Sequence, residues 1–163
     1  MTKNTNKLTG KDIINIGIYS AILFVVVFAA AMLGMIPVGY PALTIVIPLV
    51  GGIVFELFLT KVKKFGMIWI MSLIMGALML FTGMGYYPLI VSIISGFITE
   101  MIVKSGAYSS RIKSIFANGT FFCWVWGNYF LFYFDRDAFI ASRAEAVGTG
   151  FTDAINRLLP FWT

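Results

Sequence analysis

The sequence predicts an all-α integral membrane protein that forms a single polytopic domain over residues 1–163. The chain is 60% hydrophobic and only 12% charged, which is about half the charged fraction of a typical globular protein. This much apolar surface needs lipid as its solvent. The apolar runs of the chain also approach the roughly 20 residues that a helix needs to cross a hydrocarbon core, and turn residues or lysines separate them.

Five apolar runs are predicted to cross the membrane as helices. A polar tail with three lysines precedes the first run, and the Pro37–Pro41 turn follows it. Runs three and four form a helical hairpin, which has lysines before and after it and an uncharged Gly/Tyr/Pro turn at its tip. The fifth run follows a polar loop and ends in a cluster of aromatic residues. The predicted spans cover residues 13–36, 42–60, 65–83, 87–103 and 114–134.

The distribution of positive charge predicts the orientation of these spans. Nine of the 12 basic residues lie in the segments that would face the cytoplasm, and none lies in the two short outer turns. The remaining three follow span five and are mixed with carboxylates. By the positive-inside rule the N-terminus of this multi-pass protein is therefore cytoplasmic, and we expect the plasma membrane as its location. The net charge of +5 reflects this topology, and we expect no nucleic-acid partner.

Residues 135–159 are predicted to form an outer loop with short amphipathic helices. Asp137 can cap a helix that runs to Val147, and Gly148 can end it. Phe151 and Ile155 then fall on one face of a second helix, as expected for a segment at the membrane surface. Five crossings would leave the C-terminus outside, so we expect a sixth span that is missing from this sequence.

The sequence offers no catalytic or metal-binding constellation. It contains no histidine, which excludes a Ser-His-Asp triad and an HExxH metal site. It also lacks the GxxxxGK[ST] motif of a P-loop. We therefore predict no catalytic residue, no metal site and no enzymatic activity in this chain. The single cysteine, Cys123, excludes a disulfide within the chain.

Glu56 and Glu100 are the two carboxylates inside the predicted spans. Each lies about one helical turn before a lysine, Lys61 and Lys104 respectively. A charge at the centre of a bilayer costs about 2.5–3.5 kcal/mol on insertion scales. We therefore predict that both carboxylates pair with lysines at the inner interface, with a role in ion coupling as the alternative.

Small residues recur on one face of span one, at Gly17, Ala21 and Ala29. Such stripes let helix backbones approach closely. They can serve packing within the bundle or docking to another membrane subunit, and span one suits docking best because bulky residues occupy its opposite face. Shorter stripes occur in spans four and five: Ser92 and Gly96, and Gly119, Cys123 and Gly127.

Aromatic and polar side chains concentrate at the predicted outer ends of the spans. Flat aromatic walls with a few polar groups are typical of a small-molecule pocket, whereas an aromatic belt in contact with lipid headgroups is the alternative. The predicted substrate-binding residues are Tyr40, Tyr86, Tyr87, Trp126, Asn128, Tyr129, Arg136 and Asp137.

Several stretches of the chain resemble the MptD/Trep_Strep family, whose members are S components of energy-coupling factor (ECF) transporters. The stretches that carry the resemblance are 11–19, the lysine loop into 65–68, the turn at 82–88, and 136–138. Together they extend along nearly all of the chain. The resemblance implies a six-helix S-component bundle with both termini cytoplasmic, of which five spans are visible here.

The resemblance also implies partners and a ligand. An S component binds a micronutrient in an outward-facing pocket and docks on a transmembrane coupling subunit that two ABC ATPases drive. By this resemblance, Gly17, Ala21 and Ala29 would meet the coupling helices. No cofactor would be bound permanently. Haem, to which members resembling this branch have been linked, or a vitamin would be the transported ligand. Two other functions stay open: a stand-alone secondary transporter and a structural membrane protein without a ligand.

Overall fold

The computed structural model describes residues 7–162, with the side chains of residues 7–157 apart from Leu131, Ser142 and Ala146. This part of the chain is helical and contains no β-strand. Two 3₁₀ segments, Met32–Met35 and Phe122–Trp126, interrupt the α-helices. The α-helices are α1 (Gly10–Ala31), α2 (Gly39–Leu59), α3 (Met67–Phe81), α4 (Tyr87–Ser105), α5 (Arg111–Phe121), α6 (Gly127–Phe134), α7 (Arg136–Val147) and α8 (Thr149–Trp162).

The helices confirm the predicted all-α membrane class. In the described part of the chain, three of them are long and apolar enough to cross a bilayer: α1 with its 3₁₀ extension, α2, and α4. Helix α3 has 15 residues and spans about 22 Å at 1.5 Å per residue, which is less than a hydrocarbon core of roughly 30 Å. The predicted fifth span is divided among α5, a 3₁₀ segment and α6. Five membrane crossings stay a prediction.

The helices define two ends of the bundle. Lys61, Lys63, Lys64 and Lys104 lie where α2 ends, α3 begins and α4 ends, and we call this the lysine end. The 3₁₀ extension of α1, the start of α2, the end of α3 and the 3₁₀–α6 segment lie toward the opposite end.

Small residues allow α3 and α4 to pack closely along their length. The Ser72 hydroxyl donates a 2.7 Å hydrogen bond to the carbonyl of Ser92. A side chain at Gly96 would overlap Ser72, and one at Gly76 would overlap Ser92. The Ser92–Gly96 stripe of the sequence therefore serves packing within the bundle.

The stripe predicted in span five does not form one face. Gly119 and Cys123 are exposed, and a Cβ atom on Gly119 would have no neighbour within 4 Å. Gly127 is instead buried against the backbone of Tyr87 and Pro88. The 3₁₀ segment between them explains the difference, because three residues per turn replace the helical period on which the stripe depends.

Glu100 is not paired with Lys104, and this part of the prediction is wrong. Its side chain is fully buried, and its Oε2 accepts hydrogen bonds from the backbone N–H groups of Ile68 (2.9 Å) and Trp69 (3.2 Å) at the start of α3. The hydroxyl of Tyr108 donates to its Oε1 at 3.1 Å. Lys104 lies over the ring of Phe65, 4.8 Å from the ring centroid. Glu100 thus caps α3, where the helix dipole favours a negative charge.

Tyr108 lies in the turn after α4. Burial, followed by the nearby Glu100 carboxylate, raises the pKa of the Tyr108 phenol above its usual value. The phenol therefore stays protonated and remains a hydrogen-bond donor to Glu100.

Glu56 also has no lysine partner. The one ion pair among the described residues joins Lys64 to Asp12, at 2.7 Å. Asp12 also accepts a 2.7 Å hydrogen bond from the Thr9 backbone N–H, and the pair ties the start of α1 to the segment before α3. The predicted Glu56–Lys61 pairing is therefore wrong within this part of the chain.

Helices α7 and α8 pack as a pair across the end of the bundle opposite the lysines, and we call this pair the cover. The carboxylate of Asp135, rather than that of Asp137, caps α7 by accepting a 3.2 Å hydrogen bond from the Ala138 N–H. The helix ends at Val147, and Gly148 follows with a positive φ of 96°, which favours glycine. Phe139 of α7 and Phe151 and Ile155 of α8 are the buried residues by which the cover packs on the bundle.

Candidate functional site

A cavity of about 270 Å³ lies between the cover and the ends of α1, α2, α3 and α6. Its walls are mostly aromatic and aliphatic, and four methionines contribute thioether groups. Ligand pockets commonly combine such apolar walls with a few polar groups. The lining includes Phe28, Met32, Met35, Tyr40, Leu43, Met79, Thr82, Met84, Trp124, Asn128, Tyr129, Arg143, Val147 and Phe151.

Tyr40 holds the cover in place through aromatic contacts. Its ring meets those of Phe139 and Phe151 edge-on, with centroids 6.0 and 6.1 Å apart. The guanidinium carbon of Arg143 lies 5.6 Å from the centroid of the Tyr40 ring. The Tyr129 hydroxyl donates a 2.5 Å hydrogen bond to the backbone carbonyl of Tyr40. The start of α2, α6 and the cover therefore meet at this tyrosine.

Three polar atoms of the cavity lining are buried without a hydrogen-bond partner in the described part of the protein: Tyr40 Oη, Trp124 Nε1 and Asn128 Oδ1. Tyr40 and Trp124 are only 6% and 1% exposed. An unsatisfied buried polar group costs about 1–3 kcal/mol. The lining thus offers hydrogen-bonding capacity that an occupant of the cavity can use.

The structure brings three of the eight predicted substrate-binding residues to the cavity, namely Tyr40, Asn128 and Tyr129. The other five lie outside its lining. Tyr86 and Tyr87 stack on each other with ring centroids 4.5 Å apart, and Tyr87 stacks on Phe134. These rings form a separate aromatic surface.

The remaining three residues have other surroundings. The Trp126 ring lies 5.8 Å from the Tyr129 ring, centroid to centroid, and does not line the cavity. The Arg136 guanidinium donates to Asn156 Oδ1 at 3.1 and 3.2 Å, which links α7 to α8. Asp137 is exposed in the first turn of α7.

Sequence reasoning missed Arg143, Trp124 and the four methionines of the lining. Arg143 carried a detectable signal. Phe139, Arg143 and Val147 recur every four residues, so they share one face of α7, and an arginine in such an apolar stripe is unusual. Met32 and Met35 lie in the 3₁₀ extension of α1, where the sequence predicted a continuous helix.

The small residues of α1 lie on its free face. Gly17, Ala21 and Ala29 are all exposed, and a Cβ atom on Gly17 would meet nothing within 4 Å. The opposite face of α1 is buried through Ile16, Leu23 and Val27. The stripe is therefore not used for packing within the described bundle.

A second, open depression lies on the side of the bundle between α2 and α5. Glu56 and Asn118 line it together with Pro48 and Gly52. The Asn118 amide donates to the Pro48 carbonyl at 3.4 Å. The Glu56 side chain is about half-buried and has no hydrogen bond or ion pair with another described residue.

Comparison with known proteins identifies a family. A family model described as "Hypothetical bacterial integral membrane protein (Trep_Strep)" matches residues 10–163, which is nearly the whole chain. No curated protein and no solved structure matches the chain.

Proposed function

This chain belongs to the Trep_Strep family of bacterial integral membrane proteins, and we propose that it is the substrate-binding S component of an ECF-type importer. In this role it binds a micronutrient and passes it to a transmembrane coupling subunit powered by two ABC ATPases. The observation that carries the proposal is the covered cavity, whose apolar walls contain buried polar atoms without partners. A structural protein without a ligand would gain nothing from leaving these atoms unsatisfied.

Two further features support this role. The cavity lies at the end of the bundle opposite the lysines, so the positive-inside rule would place it toward the outside, where an importer meets its substrate. The free face of α1 carries small residues, which suit close contact with helices of a partner subunit. The ATPase activity would reside in the partners.

The transported ligand in this proposal is a small organic micronutrient with a flat apolar body. Haem is the first candidate because thioether and phenol groups line the cavity, and both are ligand types for haem iron. The volume of about 270 Å³ lies just below the usual range of about 300–1,000 Å³. Haem would require the cover to move outward, and a smaller ligand such as a vitamin would require less movement.

The proposal can be tested by purifying the chain in detergent and identifying the small molecules that it releases on denaturation by mass spectrometry. In parallel, a tagged chain is purified from its native membrane and probed for an ATPase module. We expect a bound micronutrient and co-purifying ATPases. A chain that releases no small molecule and never co-purifies with an ATPase would refute the proposal.

One observation favours a second candidate, a stand-alone secondary transporter. The unpaired Glu56 carboxylate beside the lateral depression resembles the intramembrane acids that couple transport to ions. Uptake into proteoliposomes that contain this chain alone, and its loss in Glu56→Gln, would support this candidate. Uptake that requires added ATPase subunits would exclude it.

A further inference from the structure

We infer that the cavity recognises an oxyanion, a carboxylate or phosphate of its ligand, through Arg143 together with the free hydrogen-bonding groups of Tyr40, Trp124 and Asn128. The inference rests on the proposed ligand-binding role of the cavity and specifies the chemistry of the ligand. The proposed ligand has an apolar body, which contacts the methionine and aromatic walls, and an anionic end, which faces the cover.

Arg143 brings a positive charge to a cavity whose other lining residues are uncharged. Its side chain lines the cavity, and its guanidinium lies over the rings of Tyr40 and Phe139, with distances of 5.6 and 5.8 Å to the centroids. The one ion pair among the described residues joins Lys64 to Asp12 at the lysine end. Arg143 therefore has no carboxylate partner among these residues. The two rings stabilise the guanidinium, which carries five N–H donors that a ligand can use.

The free polar atoms of the lining complement an anion. The Trp124 indole N–H can only donate a hydrogen bond, and the Tyr40 hydroxyl can donate one as well. Both side chains are more than nine-tenths buried, and neither polar atom has a partner in the described structure. Together with the guanidinium fork they form a donor-rich site, and such forks bind carboxylate and phosphate groups with two parallel hydrogen bonds.

Asn128 adds an acceptor to this set of donors. Its Nδ2 donates to the Val125 carbonyl at 3.2 Å, which turns Oδ1 away from that bond and leaves it unpartnered. A hydroxyl or amide N–H near the anionic group of the ligand would complete this site. A neutral ligand would leave Arg143 without a counter-charge, and a cationic ligand would be repelled by it.

The experiment compares matched pairs of probes that differ in the oxyanion alone. The carboxylate pair is haem and its dimethyl ester, and the phosphate pair is flavin mononucleotide and riboflavin. Binding to the chain in nanodiscs is measured by quenching of tryptophan fluorescence. Nanodiscs are also incubated with an extract of bacterial growth medium, and the retained small molecules are identified by mass spectrometry.

The variants are Arg143→Ala, Arg143→Lys and the control Arg157→Ala. Arg157 is an exposed arginine on α8 and does not line the cavity. Loss of one partner from a buried charge pair commonly weakens binding by about 30-fold or more. We therefore expect Arg143→Ala to lose at least this factor for the anionic molecule that the wild type retains. Arg143→Lys, which keeps the charge without the fork, should retain part of the affinity, and Arg157→Ala should bind as the wild type does.

Each outcome decides a different question. Retention of a carboxylate- or phosphate-bearing molecule by the wild type and the control, together with its loss in Arg143→Ala, supports the inference and shows which oxyanion is bound. Retention of a neutral or cationic molecule, or equal binding by Arg143→Ala of unchanged melting temperature, overturns the inference and leaves the proposed function standing. A wild-type chain that retains no small molecule overturns both.

Discussion

Replacing Glu100 with alanine should destabilise the protein strongly, because this carboxylate caps α3 from within the core. The side chain has no exposed surface, and Oε2 accepts from two backbone N–H groups of α3 at 2.9 and 3.2 Å. In the alanine variant both donors lose their partner, and the Ile68 N–H is left in a buried position.

The expected loss follows from the number of groups left unsatisfied. Each orphaned donor costs about 1–3 kcal/mol, so two of them predict a loss of about 2–6 kcal/mol. Glu100→Gln keeps an acceptor oxygen and should lose about half as much. Tyr108→Phe removes one hydrogen bond to the other carboxylate oxygen and should lose about 1 kcal/mol.

Thermal unfolding in detergent, followed by circular dichroism, measures these effects. For a chain of this size, about 1 kcal/mol corresponds to a shift in Tm of about 2–4 °C, so Glu100→Ala should melt about 4–24 °C below the wild type. Lys104→Ala serves as the control, because a Glu100–Lys104 ion pair would make it about as harmful as Glu100→Ala. Equal losses in these two variants, or a wild-type Tm for Glu100→Ala, would refute the capping role.

Three further variants test the packing and the docking face. Gly17→Leu should reduce co-purification of the ATPase module, whereas Gly119→Leu should not, although both glycines have open space around them; equal yields would contradict docking through α1. Gly96→Ala should lower the free energy of unfolding by about 1–3 kcal/mol through overpacking, and adding Ser72→Gly should restore much of it, as measured by chemical denaturation in mixed micelles; a neutral Gly96→Ala would show that the α3–α4 hairpin has room. Tyr129→Phe should lose about 0.5–1.5 kcal/mol by removing its hydrogen bond to α2, and an unchanged Tm would contradict this.

The helical class of the protein was accessible from the sequence because apolar length and lysine position are local properties. The interruption of the fifth run by the 3₁₀ segment at Phe122–Trp126 was not, since the run contains no proline and the segment itself is a continuous apolar stretch. Packing explains the position of Gly127, which lies directly against the backbone of Pro88. The small residues predicted to share one face of span five do not do so, because the 3₁₀ segment breaks their spacing of four.

The candidate site was only partly predictable. Aromatic enrichment near the turns indicated the end of the bundle at which the cavity lies, and three of the predicted residues, Tyr40, Asn128 and Tyr129, belong to its lining. It could not separate rings that face the cavity from those that form the stack of Tyr86 and Tyr87 on its outside, because both groups occupy the same ends of the spans. In the sequence, Arg143 lies in a loop where positive and negative charges balance. Its place in the cavity lining depends on the fold of α7.

The role of Glu100 shows why spacing along one helix was a poor guide to charge pairing. Lys104 lies four residues further on, a favourable spacing for an ion pair on an exposed helix face. The close approach of α3 to α4 at Gly96 and Ser72 instead brings Glu100 to the start of α3. Long-range packing therefore prevailed over the local pattern, and the lysine was left to interact with the ring of Phe65.

These contacts also indicate which part of the protein can admit a ligand. The α3–α4 hairpin is fixed by the Glu100 cap at one end and by close backbone packing along its length. The described contacts of the cover with the bundle are mainly between aromatic rings, such as those of Phe139 and Phe151 with Tyr40. Ring contacts of this kind depend less on a single geometry than buried hydrogen bonds do. Under the proposed function, ligand entry would therefore displace α7 and α8 rather than open the hairpin, and the same displacement would move Arg143 away from the proposed oxyanion site.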